Sequence, residues 1–202
     1  MNGRNHALLG AVTTFSYLLL SEQTVYYVGW VPFGVGMLVG TAAALLPDID
    51  TPDNHLRRTL GVGNRQTTRA ILDRRRRGLF LRLGNFLRWL VARLLNVVAW
   101  TLPHRGLTHW LVTAVVLTLL AAAFTRSQGL PDLLWETFGI GYLSHILADV
   151  CTEAGVKLFA PVYNRAITIP FLRVRTGTWT EQLFVYFLLF LWLVWLSYRY
   201  LL

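Results

Sequence analysis

The chain has 202 residues, of which 54% are hydrophobic and only 14% are charged, and its mean hydropathy is +0.47. This balance is more apolar than that of a soluble domain and predicts one integral membrane domain over residues 1–202. The formal charge of +9 comes almost wholly from arginine. Because Cys151 is the single cysteine, an intrachain disulfide and a Cys-x-x-Cys zinc site are excluded, so a bound metal would need histidine and carboxylate ligands.

The apolar segments predict an all-α fold, a polytopic membrane bundle of about five transmembrane helices. A span requires about 20 residues, and the second apolar segment is long enough and carries no charge. The first segment resembles a signal peptide in length, but no A-x-A-like cleavage site follows it. We therefore expect it to be a span that a hairpin at Ser21-Glu22-Gln23 joins to the second. In chain order the segments are 7–20, 25–46, 107–124, 133–150 and 183–196.

An arginine-rich stretch at about 51–102 separates the second and third apolar segments. Within it, Arg82, Arg88 and Arg93 interrupt Leu, Trp and Val, as in an amphipathic helix that lies on the membrane surface. Such a stretch pairs with anionic lipid headgroups, and its spacing favours lipid over nucleic acid as the partner. By the positive-inside rule it is a cytoplasmic insertion, because the two connections on the opposite side carry only Arg126.

This orientation brings the polar ends of four predicted spans to the cytoplasmic face of the plasma membrane. Ionisable groups are costly in hydrocarbon, so their shared position predicts one site. The residues that meet there are His6, Asp48, Asp50, His104, His109, His145 and Asp149. For two further polar residues nearby, His55 and Asp53, a capping or turn role is the preferred interpretation.

The spacing within these motifs suggests how metal ligands would be arranged. His145 and Asp149 are four residues apart and share one face of a helix, as two ligands of one metal would. Glu153 would extend this stripe, although Gly155 predicts a helix end close by. Asp48 and Asp50 would point the same way in an extended segment.

The motif HRGLTH spans residues 104–109 and contains two more of the candidate histidines. On a continuous helix His104 and His109 would lie about 140° apart. Pro103 and Gly106 therefore predict that His104 lies on a loop and His109 in the first turn of the third span.

Four motifs of this chain can be compared with a known family. They are His6 with Gly10, LLPDID with Pro52 and Asp53, HRGLTH, and GYLSHILADVCTEAGVKLFAPV. Together they resemble the membrane-bound metal-dependent hydrolases, the inner-membrane type described in bacteria as LexA-regulated. The resemblance covers the chain from residue 1 to about 162 and leaves out the arginine-rich stretch and the last span. The chain is also remotely similar to zinc-dependent phospholipase C and P1-type nucleases.

The resemblance implies phosphoester hydrolysis by metal-activated water, with a lipid as the substrate class that the location favours. It implies a divalent metal, zinc foremost, with manganese or magnesium also compatible. The implied ligands are His145 and Asp149 for one ion, Asp48 and Asp50 with His109 as ligands or a bridge for a second, and His6 and His104 in addition. The implied catalytic residues are a general base, Asp50 or Glu153, and a phosphate-binding arginine, Arg105.

A second class of function stays open at this point. The chain could be a non-catalytic membrane protein that binds anionic lipid or a protein partner through its arginine-rich surface. In that case the histidine and aspartate residues would form a purely structural network between helices.

Overall fold

A computed structural model of the chain describes residues 1–21, 28–50 and 106–201. The expectations for the surface helix at 80–102, for His104 and for Arg105 lie outside these residues, as does the side chain of Asp50. The described residues form five α-helices and no strand. The helices are α1 (Gly3–Leu20), α2 (Trp30–Ala43), α3 (Leu111–Ser127), α4 (Leu133–Val150) and α5 (Trp179–Leu201).

The observed helix bounds confirm most of the predicted apolar segments as helices and correct some of their ends. The helix α4 has the predicted ends, whereas α1 and α5 begin four residues earlier than predicted. The helix α2 is only 14 residues long, because it begins after Gly29 and gives way to a short 3₁₀ helix at Pro47–Asp50. A 3₁₀ turn at Leu107–His109 delays the start of α3, so His109 precedes that helix and does not lie in its first turn.

One helix among the described residues is both long and apolar enough to cross a membrane by length and composition. It is the 22-residue part of α5 from Trp179 to Tyr200, with a mean hydropathy of 1.6. The helices α2 and α3 are apolar but shorter. The expectation of about five spans is therefore met by this measure only in α5.

The helix α4 packs against α1, α2 and α3, and its closest approach is to α2. A Cβ atom on Gly141 of α4 would lie 2.0 Å from the carbonyl oxygen of Gly40 of α2. This distance is too short for any side chain, so only glycine fits at position 141. The two backbones therefore touch, as small residues allow in membrane helix pairs. This contact aligns the following turns of both helices, in which Ala44 and His145 lie four residues beyond Gly40 and Gly141.

The connection between α4 and α5 is folded back onto the end of α4. Two isolated β-bridges hold it, one between Thr152 and Val174 and the other between Val156 and Ile167. The helix α5 then packs beside the start of α1 and the end of α4, where the fully buried Val185 lies in a cluster with Met1, Leu9 and Ala148. The beginning of α5 and the beginning of α1 are thus brought to the same end of the bundle as the end of α4.

Candidate metal centre

Four predicted ligands converge at the meeting point of these helix ends. Each of them offers one ligand atom, and these atoms all lie within 4.8 Å of one another. Asp48 comes from the 3₁₀ helix after α2, His109 from the 3₁₀ turn before α3, and the other two from the last turns of α4. The four residues are Asp48, His109, His145 and Asp149.

The distances between these atoms are those expected of groups around one cation. The Nε2 atoms of His109 and His145 are 3.3 Å apart. His109 Nε2 lies 3.5 Å from Asp149 Oδ2 and 3.7 Å from Asp48 Oδ1. His145 Nε2 lies 3.8 Å from Asp149 Oδ2 and 3.7 Å from Asp48 Oδ1. Ligands bound tetrahedrally at about 2.0–2.1 Å lie about 3.3–3.4 Å apart, so small movements would complete such a site.

The fold also selects the tautomer of His145. Its Nδ1–H donates a hydrogen bond to the carbonyl oxygen of Ala44 at 2.7 Å, which leaves a lone pair on Nε2, the atom that faces the other three residues. A ring nitrogen bonded to a backbone carbonyl is the usual outer-shell partner of a metal-binding histidine. On His109, Nδ1 lies 3.0 Å from the hydroxyl of Thr108, and Tyr142 donates its own hydroxyl proton to the Thr108 carbonyl at 2.5 Å.

His6 belongs to the same cluster but lies on its other side. Its ring stacks on that of His145 with 3.6 Å between the centroids. Its Nε2 lies 3.2 Å from Asp149 Oδ1, and both ring nitrogens are buried. Asp149 therefore presents Oδ2 to His109 and His145 and Oδ1 to His6, as a carboxylate between two adjacent binding positions would.

The cluster is almost completely removed from solvent. His6, His109 and His145 are fully buried and Asp149 nearly so, whereas the side chain of Asp48 keeps 16% of its surface exposed. Asp48 is thus the member of this cluster through which solvent reaches it.

Electrostatic coupling within the cluster favours an ionised Asp48. Burial raises the pKa of Asp48, but the hydrogen bond with His109 and the electrostatic interactions with the rings of His145 and His6 outweigh burial and lower the pKa to about 2. For His109, burial lowers the pKa, and its contacts with the carboxylates of Asp149 and Asp48 raise it by more, so that the net pKa is raised. A carboxylate that is ionised at neutral pH can serve as a ligand for a cation.

Some predicted site residues are not brought into this cluster. The side chain of Glu153 is exposed, because α4 ends at Val150 and the chain turns away. The expected extended geometry of Asp48 and Asp50 is wrong, since residues 47–50 form a 3₁₀ helix. With three residues per turn, alternate positions of such a helix point about 120° apart rather than the same way.

Two groups that the sequence analysis did not single out adjoin the cluster. The N-terminal amino group of Met1 contacts Asp149 Oδ1. The fully buried carboxylate of Glu181, at the start of α5, accepts hydrogen bonds of 2.6 Å from the backbone of Asn2, the side chain of Asn5 and the backbone of Gly177. A carboxylate at the edge of a long apolar segment was the one available signal for Glu181.

Comparison with known proteins identifies a family of inner membrane proteins. The family model described as YdjM inner membrane protein matches residues 1–201. Relatives from Escherichia coli (strain K12) and Shigella flexneri, both described as inner membrane protein YdjM, are each 37% identical over 117 residues. The alignment covers 56% of this chain and 56% of each relative, so the chain spans about half the length of the curated relatives it matches. No solved structure matches. The chain belongs to the YdjM inner membrane protein family, which supports a location in the plasma membrane.

Proposed function

We propose that this protein is a multi-pass membrane protein with a metal-dependent hydrolase centre on the cytoplasmic side of the plasma membrane. The observation that carries the proposal is the cluster of Asp48, His109, His145 and Asp149, whose ligand atoms lie within 4.8 Å of one another in a buried position. Buried ionisable groups in a membrane protein usually mark a functional site.

The donor set fits a divalent metal. Two imidazole nitrogens and two carboxylates are ligands that zinc accepts, and the oxygen content also allows manganese or magnesium. The hydrogen bond from His145 to Ala44 supports this assignment, because it fixes the ring with Nε2 as an acceptor. His6 and the second oxygen of Asp149 would serve an adjacent ion, for which Asp50 and His104 remain the further predicted ligands.

The exposed apolar surface supports a multi-pass topology. The helix α3 exposes Val112, Val115, Leu119, Leu120 and Phe124, and α5 exposes a similar row of Leu, Phe and Tyr side chains. Apolar patches of this extent mark surfaces that meet lipid or other proteins. At 1.5 Å per residue, the 17 or 18 residues of α1, α3 and α4 give lengths of about 26 Å, close to the roughly 30 Å of a bilayer core.

The distribution of charge supports the cytoplasmic side for the centre. The connection from α4 to α5 leaves the same end of α4 that carries His145 and Asp149, and it holds four cations, Lys157, Arg165, Arg173 and Arg175, against one acid, Glu153. Residues 128–132, at the opposite end of α4, contain no lysine or arginine. Cytoplasmic connections carry such an excess of positive charge.

A metal bound here would lower the pKa of a water molecule and polarise a phosphoryl oxygen. The chain itself would orient the ligands through Ala44 and Thr108 and would exclude bulk water by burying three imidazoles. Asp48, which is partly exposed, marks the side from which a phosphoester would approach. Asp50 and Glu153 remain the proposed bases and Arg105 the proposed phosphate-binding group. Of these three, Glu153 lies on the exposed surface, and the proposal therefore favours Asp50.

Hydrolysis of phosphoesters by the purified full-length chain tests this proposal. Wild-type protein in detergent, supplied with zinc or manganese, would be assayed on bis(p-nitrophenyl) phosphate and on short-chain glycerophospholipids. We expect metal-dependent turnover that His145→Gln lowers by about 100-fold or more and that Asp132→Asn, at the opposite end of α4, leaves unchanged. Turnover that survives His145→Gln, or no turnover by a fully metal-loaded protein on any of these substrates, would contradict a hydrolase at this centre. In the second case, the cluster would be a structural network in a non-catalytic protein.

A further inference from the structure

The connection from α4 to α5 has a hydrogen-bonded backbone and carries exposed aromatic and cationic side chains. Its backbone is tied to the end of α4 by hydrogen bonds from Val174 to Cys151 at 3.0 Å, from Glu153 to Val174 at 3.1 Å, and from Ile169 to Val150 at 3.1 Å. Two side chains of the connection itself, those of Val156 and Val174, are buried. The segment therefore presents a fixed set of side chains outward.

Those outward side chains combine large apolar groups with cations. Phe171 is 96% exposed and Trp179 is 74% exposed. Val174 is buried, whereas its neighbours Arg173 and Arg175 are exposed, as expected where alternate side chains of an extended segment point the same way. Between residues 157 and 179 the sequence has four cations and no acid.

A cavity of about 510 Å³ opens on this surface. Two guanidinium groups and one carboxylate are among the groups that line it, so its net charge is positive. In the part of the chain that the structure describes, neither arginine forms an ion pair with a carboxylate. The lining includes Glu153, Phe171, Arg173, Arg175, Thr178 and Trp179.

This cavity lies beside the first residue of the candidate membrane span. Trp179 is the first residue of α5 and of the candidate span, and tryptophan prefers the boundary between hydrocarbon and water. Phe171 and the two arginines border the same cavity as Trp179. With α5 as a span, these side chains lie at the level of the lipid headgroups.

We infer that this cavity binds the headgroup of an anionic phospholipid. The guanidinium groups of Arg173 and Arg175 contact the phosphate, since arginine pairs with phosphate oxygens through two parallel hydrogen bonds. Phe171 and Trp179 enter the region between headgroups and acyl chains. This lipid site goes beyond the proposed hydrolase, because it requires neither the metal nor the cluster around Asp149.

Photolabelling of the full-length protein in nanodiscs tests the inference without any assay of turnover. The discs would contain phosphatidylcholine with a minority of phosphatidylglycerol that carries a photoreactive group near the phosphate, and labelled peptides would be mapped by mass spectrometry. We expect labelling within residues 171–180 that the Arg173→Gln/Arg175→Gln double variant lowers by at least about tenfold. The control is Arg126→Gln, whose guanidinium pairs with Asp132 at 3.1 Å on the opposite connection and whose loss should leave the labelling unchanged.

A competition in the wild-type protein covers the case in which the double variant fails to fold. Excess unlabelled phosphatidylglycerol should displace the label from residues 171–180, whereas excess phosphatidylcholine should not. The inference is overturned if both lipids displace it equally, if labelling is confined to the arginine-rich stretch at 51–102, or if the folded double variant is labelled like the wild type.

Discussion

The Nδ1–H of His145 donates a hydrogen bond to the carbonyl oxygen of Ala44 at 2.7 Å, one helical turn beyond the place where Gly141 contacts Gly40. The backbone contact and the hydrogen bond lie on the same two helices, so the helix crossing sets the orientation of a candidate metal ligand. A small shift of α2 against α4 would turn the His145 ring away from His109 and Asp149. The stability of the crossing and the metal affinity should therefore change together.

Substitution of Gly141 by alanine should disrupt this crossing. The new Cβ would lie 2.0 Å from the Gly40 carbonyl oxygen. Because the oxygen is part of the backbone and the Cβ is bonded to it, neither atom can rotate away, and the helices must separate. We expect a loss of about 3 kcal/mol or more of unfolding free energy, measured by thermal or denaturant unfolding in detergent. Gly34→Ala in α2 is the control, because a Cβ there meets no atom within 4 Å apart from its chain neighbours and the backbone of its own helix, and alanine favours the helix by about 0.5–1 kcal/mol. Equal effects of the two substitutions would contradict the close contact.

Tyr142→Phe should weaken metal binding without removing a ligand. The Tyr142 hydroxyl donates to the carbonyl of Thr108, the residue whose side chain contacts His109 Nδ1. Loss of such outer-shell support typically lowers metal affinity by about 10- to 100-fold. Zinc titration against a competing chelator would measure the change. The exposed Tyr163 supplies the matched control, since Tyr163→Phe should have wild-type affinity. An unchanged affinity in Tyr142→Phe would show that Thr108 does not orient His109.

Glu181→Ala should destabilise the junction of α1 and α5. It would leave three hydrogen-bond donors at Asn2, Asn5 and Gly177 without their buried carboxylate, and each unsatisfied donor costs about 1–3 kcal/mol. Water that enters the gap would recover part of this, so we expect a net loss of about 2–4 kcal/mol. Since His6 follows Asn5 directly, metal affinity should also fall.

The exposed Glu153 provides the comparison for this carboxylate. Glu153→Ala should change the unfolding free energy by less than about 0.5 kcal/mol, as is usual for surface substitutions. If Glu181→Ala were equally mild in denaturant unfolding, the hydrogen-bond network at the N-terminus would not hold α5 in position.

The topology can be tested with single cysteines introduced into a Cys151→Ala background. Gln128, between α3 and α4, and Asn164, between α4 and α5, are both exposed and lie in connections at opposite ends of α4. A membrane-impermeant maleimide added to intact cells should label Gln128→Cys, and it should label Asn164→Cys only after the cells are permeabilised. The reverse pattern would place the metal cluster on the periplasmic side, and labelling of both would exclude α4 as a span.

The sequence allowed the meeting of His109, His145 and Asp149 to be predicted, because successive helices alternate in direction and every second connection therefore lies at the same end of the bundle. It also allowed the bounds of α4 to be predicted, since the apolar segment 133–150 begins directly after Pro131 and Asp132 and ends shortly before Glu153 and Gly155. The local geometry of Asp48 could not be predicted, because a short polar segment after Pro47 can be extended or turned, and packing against the 3₁₀ turn at 107–109 decides between them.

The spacing of residues in the sequence could not predict the contacts that Met1 and Glu181 make. The amino group of Met1 is no side chain and appears in no motif, yet it contacts Asp149. Glu181 is 176 residues from its partner Asn5, and such a long-range pair has no periodic signature. The contacts of Glu181 depend on how α5 packs against α1, which the apolar pattern of α5 does not specify because residues 183–196 are apolar on all sides of the helix.

The metal content of the purified protein tests the central proposal most directly. Elemental mass spectrometry would be applied to wild-type protein, to Asp149→Asn and to Asp132→Asn, each shown to be folded by its thermal unfolding in detergent. We expect at least one divalent ion for each wild-type and Asp132→Asn chain, and a loss of most of that metal in Asp149→Asn. Wild-type protein that contains no metal and cannot be loaded with zinc, manganese or magnesium would contradict the proposed centre.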